Sequence, residues 1–416
     1  MKSTSLLLFV AAVFAFHNSA RAGPYTLEIV AEVGDVIDGR TIIQFSRDPA
    51  PVAINNDGEV AFFAKVSSAQ GEGWSVMTQN RFIAGAGKLV DGRLPSFNDE
   101  DHGVDINNLG QVTYTAFLPE GGRGLFVDET LLVQPGDVID GITVARIGRN
   151  PAINDGGTVA FQGGNAEFVA GWSIFTQDRL VVENGRVYDG NTMVSFQRPL
   201  INNAGEVVFR ASVTQIGTDA ALAPDRIIAI AGDVIDGVRV NHIDAIGSIT
   251  DNGVVVMSVR GDSGPLNNEL FNVTETQVLL APGDVIDGLT LNDGIGSALM
   301  NNAGELAFIG GIMSEIGDDR HLVLFAKDRI IAAEGDLLGG KVMRRMRSRF
   351  DMNDRGDVVF RVQFEDLSRA VVIARAIPEP DGLMLAALAM MAFLCIGQRR
   401  LQRATRHDVC RRASGR

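Results

Sequence analysis

Apolar residues recur at every second position in short runs, and seven of those runs begin alike. The segments are INNDGEVAF from Ile54, INNLGQVTY from Ile106, INDGGTVAF from Ile153, INNAGEVVF from Ile201, ITDNGVVVM from Ile249, MNNAGELAF from Met300 and MNDRGDVVF from Met352. Their common form is N-x-x-G-x-V-x-F. An Asn that hydrogen-bonds its own backbone, followed by a Gly with positive φ, makes a tight turn. Beyond the Gly come Val60, Val112, Val159, Val207, Val255, Leu306 and Val358, then Phe62, Tyr114, Phe161, Phe209, Met257, Phe308 and Phe360. A period of two predicts a strand with one face buried. The large second residue is expected to fill the space between neighbouring sheets.

A second motif keeps the same rhythm. GDVIDG stands at Gly34, Gly136, Gly232 and Gly283, with weaker copies GKLVDG at Gly87, GRVYDG at Gly185 and GDLLGG at Gly335. The seven starts lie 47–53 residues apart, a spacing in the propeller range. Between the motifs, runs such as GWSVMT from Gly73 and RFIAGAG from Arg81 supply a third and a fourth strand. Each unit therefore reads as a four-stranded antiparallel meander with GDVIDG as the connection onward. The body opens on YTLEIVAEVGD, of fourth-strand form, and closes on RAVVIARA from Arg369, of third-strand form. Pairing the two would complete a blade split between the ends and remove two sheet edges. The expected fold is all-β, a seven-bladed β-propeller over residues 23–376. An open β-solenoid is the alternative, although its coils are usually shorter and its sheets parallel.

The flanks read differently. Lys2, the apolar run Leu6 to Phe14 and Ala20-Arg21-Ala22 have the order of a secretory signal over residues 1–22. After the body come Pro378-Glu379-Pro380, an apolar segment over 382–397 and a basic tail over 398–416. The apolar part is short for a spanning helix, though flanking residues extend it, and the arginines beyond would stay cytoplasmic. This order resembles the PEP-CTERM sorting signal of Gram-negative bacteria. The resemblance implies a C-terminal transmembrane helix, with recognition of Pro378, Glu379 and Pro380 by exosortase, a membrane cysteine protease. The basic part is longer than that pattern usually has and contains Cys410. A plain C-terminal anchor is the alternative and implies nearly the same location. The body also resembles exported bacterial proteins with tandem N-x-x-G-x-[AV]-F repeats and interchangeable anchors. That likeness implies fold and location, at the cell envelope or in the extracellular matrix, and supplies no substrate.

Composition narrows the function classes. Both cysteines, Cys395 and Cys410, lie beyond the body, so no disulfide can brace it. The chain carries a net charge of −14, and the basic tail leaves a still more acidic body, which disfavours nucleic acid as a partner. In the four full GDVIDG copies, Asp35, Asp38, Asp137, Asp140, Asp233, Asp236, Asp284 and Asp287 offer oxygens that Ca²⁺ could use. Against this, Lys88 and Arg186 replace the first Asp in weaker copies, while the Asp-Gly bend survives, as a hairpin turn requires. No catalytic or cofactor-binding residue is legible. His102, His242 and His321 fall at unrelated repeat positions, and nucleophile-elbow and phosphate-loop patterns are missing. Trp74 and Trp172 open equivalent strands and suit either packing between blades or stacking on sugars. RRMRSR at Arg344 is a basic cluster on an acidic body, read as a solvated face or a partner contact. The expected function is a non-enzymatic binding or structural role toward a polysaccharide or protein. The alternative is a polysaccharide-active lyase or hydrolase with its site in the central channel.

Overall fold

The computed structural model describes residues 25–377 apart from 47–50, 99–102, 166–170, 215–217, 264–265, 292–294, 314–319 and 327. The signal segment, the Pro378-Glu379-Pro380 motif and the expected transmembrane helix lie outside the described residues. Every regular element among the described residues is a β-strand. The strands form seven antiparallel blades. In blade 1, Arg40–Phe45 and Ala53–Ile54 pair with Val60–Ser68, which pairs with Gly71–Thr78, which pairs with Phe82–Gly85. Blades 2 to 6 repeat this meander, and blade 7 contains Lys341–Met352, Val358–Phe364 and Arg369–Ala376. Its fourth strand is Tyr25–Glu32, from the other end of the body. The ring closes there as the terminal patterns predict. Ion pairs reinforce the join: Arg375 to Glu28 at 2.9 Å and Lys341 to Glu32 at 2.7 Å.

The turns have the expected geometry. In the connector, Asp38 and Gly39 take φ of 48° and 73°, and the equivalent pair is positive in all seven repeats. Two successive positive φ values mark a type I′ hairpin, whose twist matches its strands. In the N-x-x-G turn, the Oδ1 of Asn55 accepts the amides of Asp57 at 3.1 Å and Glu59 at 2.9 Å. Gly58 at φ 79° completes the bend, where a side chain would be strained.

One expectation needs correction. The strand after each turn buries both faces. Val60, Phe62 and Ala64 pack in the seam toward blade 7, while Ala61 and Phe63 pack in the seam toward blade 2. A blade is sandwiched between neighbours, so alternation here separates two seams rather than inside from outside. The core accordingly consists of seven apolar clusters. The large residue of each repeat, from Phe62 to Phe360, is at most 1 % exposed and packs against the preceding blade. Three of these large residues stack on a ring of the same blade: Tyr114 on Phe126 at 5.2 Å, Phe161 on Phe175 at 5.7 Å and Phe308 on Phe325 at 5.0 Å.

Candidate functional site

The first strands of the seven blades enclose a cavity of ≈ 500 Å³ on the axis. Two columns of residues line it. Two positions before the turn Asn stand Ala53, Asp105, Ala152, Leu200, Ser248, Leu299 and Asp351. Four positions before it stand Pro51, Gly103, Asn150, Arg198, Ile246, Ser297 and Arg349. These two columns contain four charges, Asp105, Asp351, Arg198 and Arg349, that the turn and seam pattern of the repeat does not require.

The carboxylates are held by the blade seams. Asp105 accepts the amide of Ile106 on one oxygen and that of Ile153, in the next blade, on the other, both at 2.9 Å. Asp351 accepts the amide of Ile54 across the closure seam at 2.9 Å. Ser248 does the same for Met300 at 2.8 Å. Burial inside the ring pushes the Asp105 carboxyl up to about 6, against the pull of those amides and of Arg198. Burial and then the charge of Asp105 push the Asp351 carboxyl up to about 7. Burial, then the charge of Arg349, lower the Arg198 guanidinium from its ordinary value. Arg198 retains accessible surface, and that side chain lines the cavity inside the ring.

Both arginines sit on bulges. Pairing of the first and second strands slips between Gln197 and Leu200 in blade 4, and between Met346 and Phe350 in blade 7. Arg198 lies within the first slip at φ 24°, and Arg349 within the second. A bulge re-aims a side chain that regular alternation would send elsewhere. Among the described residues, neither arginine forms an ion pair with Asp105 or Asp351, and Arg349 Nη1 is shielded from solvent without a hydrogen-bond partner.

Two hydrogen-bonded rings surround the axis at the N-x-x-G turns. In the first, the side-chain amide of Asn55 donates to the carbonyl of Asn107 in the next blade. Asn107, Asn154, Asn202, Asn301 and Asn353 repeat this, the last reaching back to Asn55. Thr250 has no amide to donate. In the second ring, each backbone amide donates to the next blade's side-chain Oδ1. The order is Asn56, Asn108, Asp155, Asn203, Asp251, Asn302, Asp354 and back to Asn56, at 2.7–2.9 Å. Sequence reasoning assigned the first set of asparagines to turns alone; their second role, joining blades, is visible only in three dimensions.

The connector aspartates stay apart, spread over the connectors of successive blades. Asp35, Asp137, Asp233 and Asp284 each accept an amide three residues upstream, at 2.8–2.9 Å. Asp38, Asp140 and Asp236 each accept the amide that opens the outermost strand of the blade they enter, at 2.7–3.3 Å. Asp287 occupies the equivalent bend, at φ 50°. No group of three or more His, Cys, Asp or Glu side chains assembles for a metal among the described residues. Trp74 stacks on Phe63 at 5.5 Å within a seam, and the Arg146 guanidinium lies 4.3 Å from the Trp172 ring. In RRMRSR, Arg344 and Arg345 face solvent and Arg349 faces the channel. His242 lies 3.6 Å from Asp244 and 3.9 Å from Asp219 between blades 4 and 5.

Sequence reasoning passed over Asp105, Arg198 and Asp351 and read Arg349 only as part of the RRMRSR cluster. The carboxylates had a signal in the column two before the Asn, where two aspartates interrupt Ala, Leu and Ser.

The pairing of strands defines a seven-bladed propeller with a charged axial channel. No family model and no curated protein matches the chain. Solved structures with some likeness include a gluconolactonase from Xanthomonas campestris, at 12% identity over 71% of this chain and 97% of that one, with a TM-score of 0.29. Others are a eukaryotic initiation factor (10% identity, 80% of each chain, TM-score 0.35) and a protein of unknown function from Bacteroides caccae (12%, 75% and 93%, TM-score 0.27). The propeller assignment rests on the strand pairing, and these likenesses add nothing to it.

Proposed function

We propose that this chain is an exported, envelope-associated binding protein. Its propeller holds a small polar ligand, or a polar group of a polysaccharide or protein, in the axial channel without transforming it. The observation that carries this reading is the convergence of Asp105, Arg198, Arg349 and Asp351 on one cavity of ≈ 500 Å³. That is a usual size for a ligand site, and a few polar groups among apolar walls are its usual lining. Export and anchoring rest on the signal-like N-terminal segment and the Pro378-Glu379-Pro380 tail. Here the tail supplies a transmembrane helix that exosortase processing would release. The test of binding is a glycan and protein screen with the purified protein, in which Asp351→Asn and Arg349→Gln abolish any hit that uses the channel. For location, replacing Pro378-Glu379-Pro380 with alanines blocks tail processing if the segment is a sorting signal.

A second reading draws on one observation, the near-neutral carboxyls of Asp105 and Asp351. Groups that titrate near neutrality can exchange protons with a substrate. A polysaccharide lyase or hydrolase would release new sugar ends, and Asp351→Asn would stop it. Binding without product in the same assay separates the first reading from the second.

A further inference from the structure

The two channel arginines stand at the same repeat position in blades 4 and 7, three blades apart around the ring. Each is placed by a bulge, and Arg198 adopts a left-handed backbone conformation that a non-glycine residue enters at a cost. The nearest carboxylates, Asp105 and Asp351, act on Arg198 through space and form no direct ion pair with it. Asp105 accepts the backbone amides of Ile106 and Ile153, Asp351 accepts that of Ile54 and is turned toward that of Met352, and no ion pair joins either to an arginine among the described residues. An unpaired guanidinium inside a protein is unfavourable, and Arg349 Nη1 is both shielded and unpartnered. Arg349 and the more exposed Arg198 thus bring two positive groups to one cavity of ≈ 500 Å³, an arrangement favourable around a negative ligand. Planar guanidinium forks match oxyanions in two-point contacts.

From this we infer that the channel takes an oxyanion-bearing ligand, a carboxylate or a phosphate- or sulfate-type group, clamped between Arg198 and Arg349. The inference deepens the binding reading above and depends on it. Asn150 and Ser297 stand at the same level of the channel, so hydroxyls on the ligand body would find polar partners there.

The test uses the full chain in non-ionic detergent, titrated calorimetrically with glucuronate, inorganic phosphate, inorganic sulfate and, as the neutral control, glucose. At least one oxyanion binds and glucose does not; which anion binds identifies the source class. Arg198→Gln and Arg349→Gln each weaken that binding at least about tenfold, the usual consequence of losing a charge-assisted contact. Arg349→Lys, which keeps the charge and loses the fork, falls between. Melting curves of the variants exclude misfolding, and removing an unpartnered guanidinium should leave them at least as stable as the parent. Anion affinity unchanged in both Gln variants overturns the inference. So does a neutral ligand whose binding depends on Asp105 or Asp351 but on neither arginine, and in that case the channel still binds. If no ligand from the wider screen depends on any of the four residues, the binding reading falls as well.

Discussion

Replacing Thr250 with Asn should stabilise the propeller by completing a ring that is broken at one seam. In six seams the turn Asn donates its side-chain amide to the next blade's carbonyl at 3.0–3.3 Å. Thr250 is 3% exposed, and its hydroxyl already serves its own turn by accepting the amide of Val254 at 3.0 Å. The carbonyl it should reach, that of Asn301, accepts the amide of Gly304 at 3.0 Å. In the intact seams such a carbonyl takes both bonds, as that of Asn55 does from Gly58 and Asn353. A new buried hydrogen bond contributes about 1 kcal/mol net. For a body of roughly 350 residues, unfolding entropy near 2.1 cal/mol/K per residue converts this to a rise of about 1.4 °C in Tm. Differential scanning calorimetry resolves that shift, and urea titration checks it independently. Asn202→Thr, which opens a second gap, should lower Tm by a similar or larger amount. If Thr250→Asn fails to raise Tm while Asn202→Thr leaves it unchanged, the amide ring contributes nothing to stability and the reasoning fails.

Other outcomes follow from the same structure. The carboxyls of Asp105 and Asp351, raised to about 6 and about 7, bind protons more tightly in the folded chain than unfolded. Their contribution to stability is full below the ordinary carboxylate range and is lost as pH rises through 6 to 7. Asp351→Asn should therefore gain Tm relative to the parent at pH 8 but not at pH 4, measured by thermal melts across that range. Gly247→Ala would place a Cβ 1.9 Å from the carbonyl oxygen of Ala298 in the next blade, and overpacking of that kind should cost about 3 kcal/mol or more in urea unfolding. Gly205→Ala meets open space but sits at φ 80°, so the same titration should show a loss of only about 1–2 kcal/mol. Asp137→Ala removes the acceptor for the Gln134 amide and should lower stability by about 1 kcal/mol without affecting any channel ligand.

The architecture was legible because its causes are local. Asn-x-x-Gly and Asp-Gly bend the chain by their own chemistry, and alternation after each bend marks a strand wherever it stands. Seven copies in one frame then count the blades, and the complementary end patterns predict the closure. The burial of both faces was less legible. Ala61 and Phe63 are apolar like Val60 and Phe62, but period two by itself reads as a contrast of inside with outside, whereas the contrast lies between two seams. The channel charges were obscured for a different reason. Bulges around Arg198 and Arg349 shift the phase of alternation, so strict period two does not predict where those side chains go, and only the seven-fold column in three dimensions shows that the position lines the channel. Arg349 was further hidden in a run of arginines whose other exposed members, Arg344 and Arg345, have the solvated role expected of such a run.

The outer polar ring has a consequence that depends on parity. Asn and Asp almost alternate around it, and amides of Asn donate to the carboxylates of Asp155, Asp251 and Asp354. Seven is odd, so strict alternation cannot close, and one pair of like residues must meet. The pair that meets is Asn56 with Asn108, two neutral amides, rather than two carboxylates whose charges would repel. The mismatch falls between blades 1 and 2 and not at the seam between blades 7 and 1, where Asn56 meets Asp354 as an amide meets a carboxylate. A ring with one blade fewer or one more would have no such frustrated pair. The odd number is thus written into the polar residues at the axis as well as into the count of repeats.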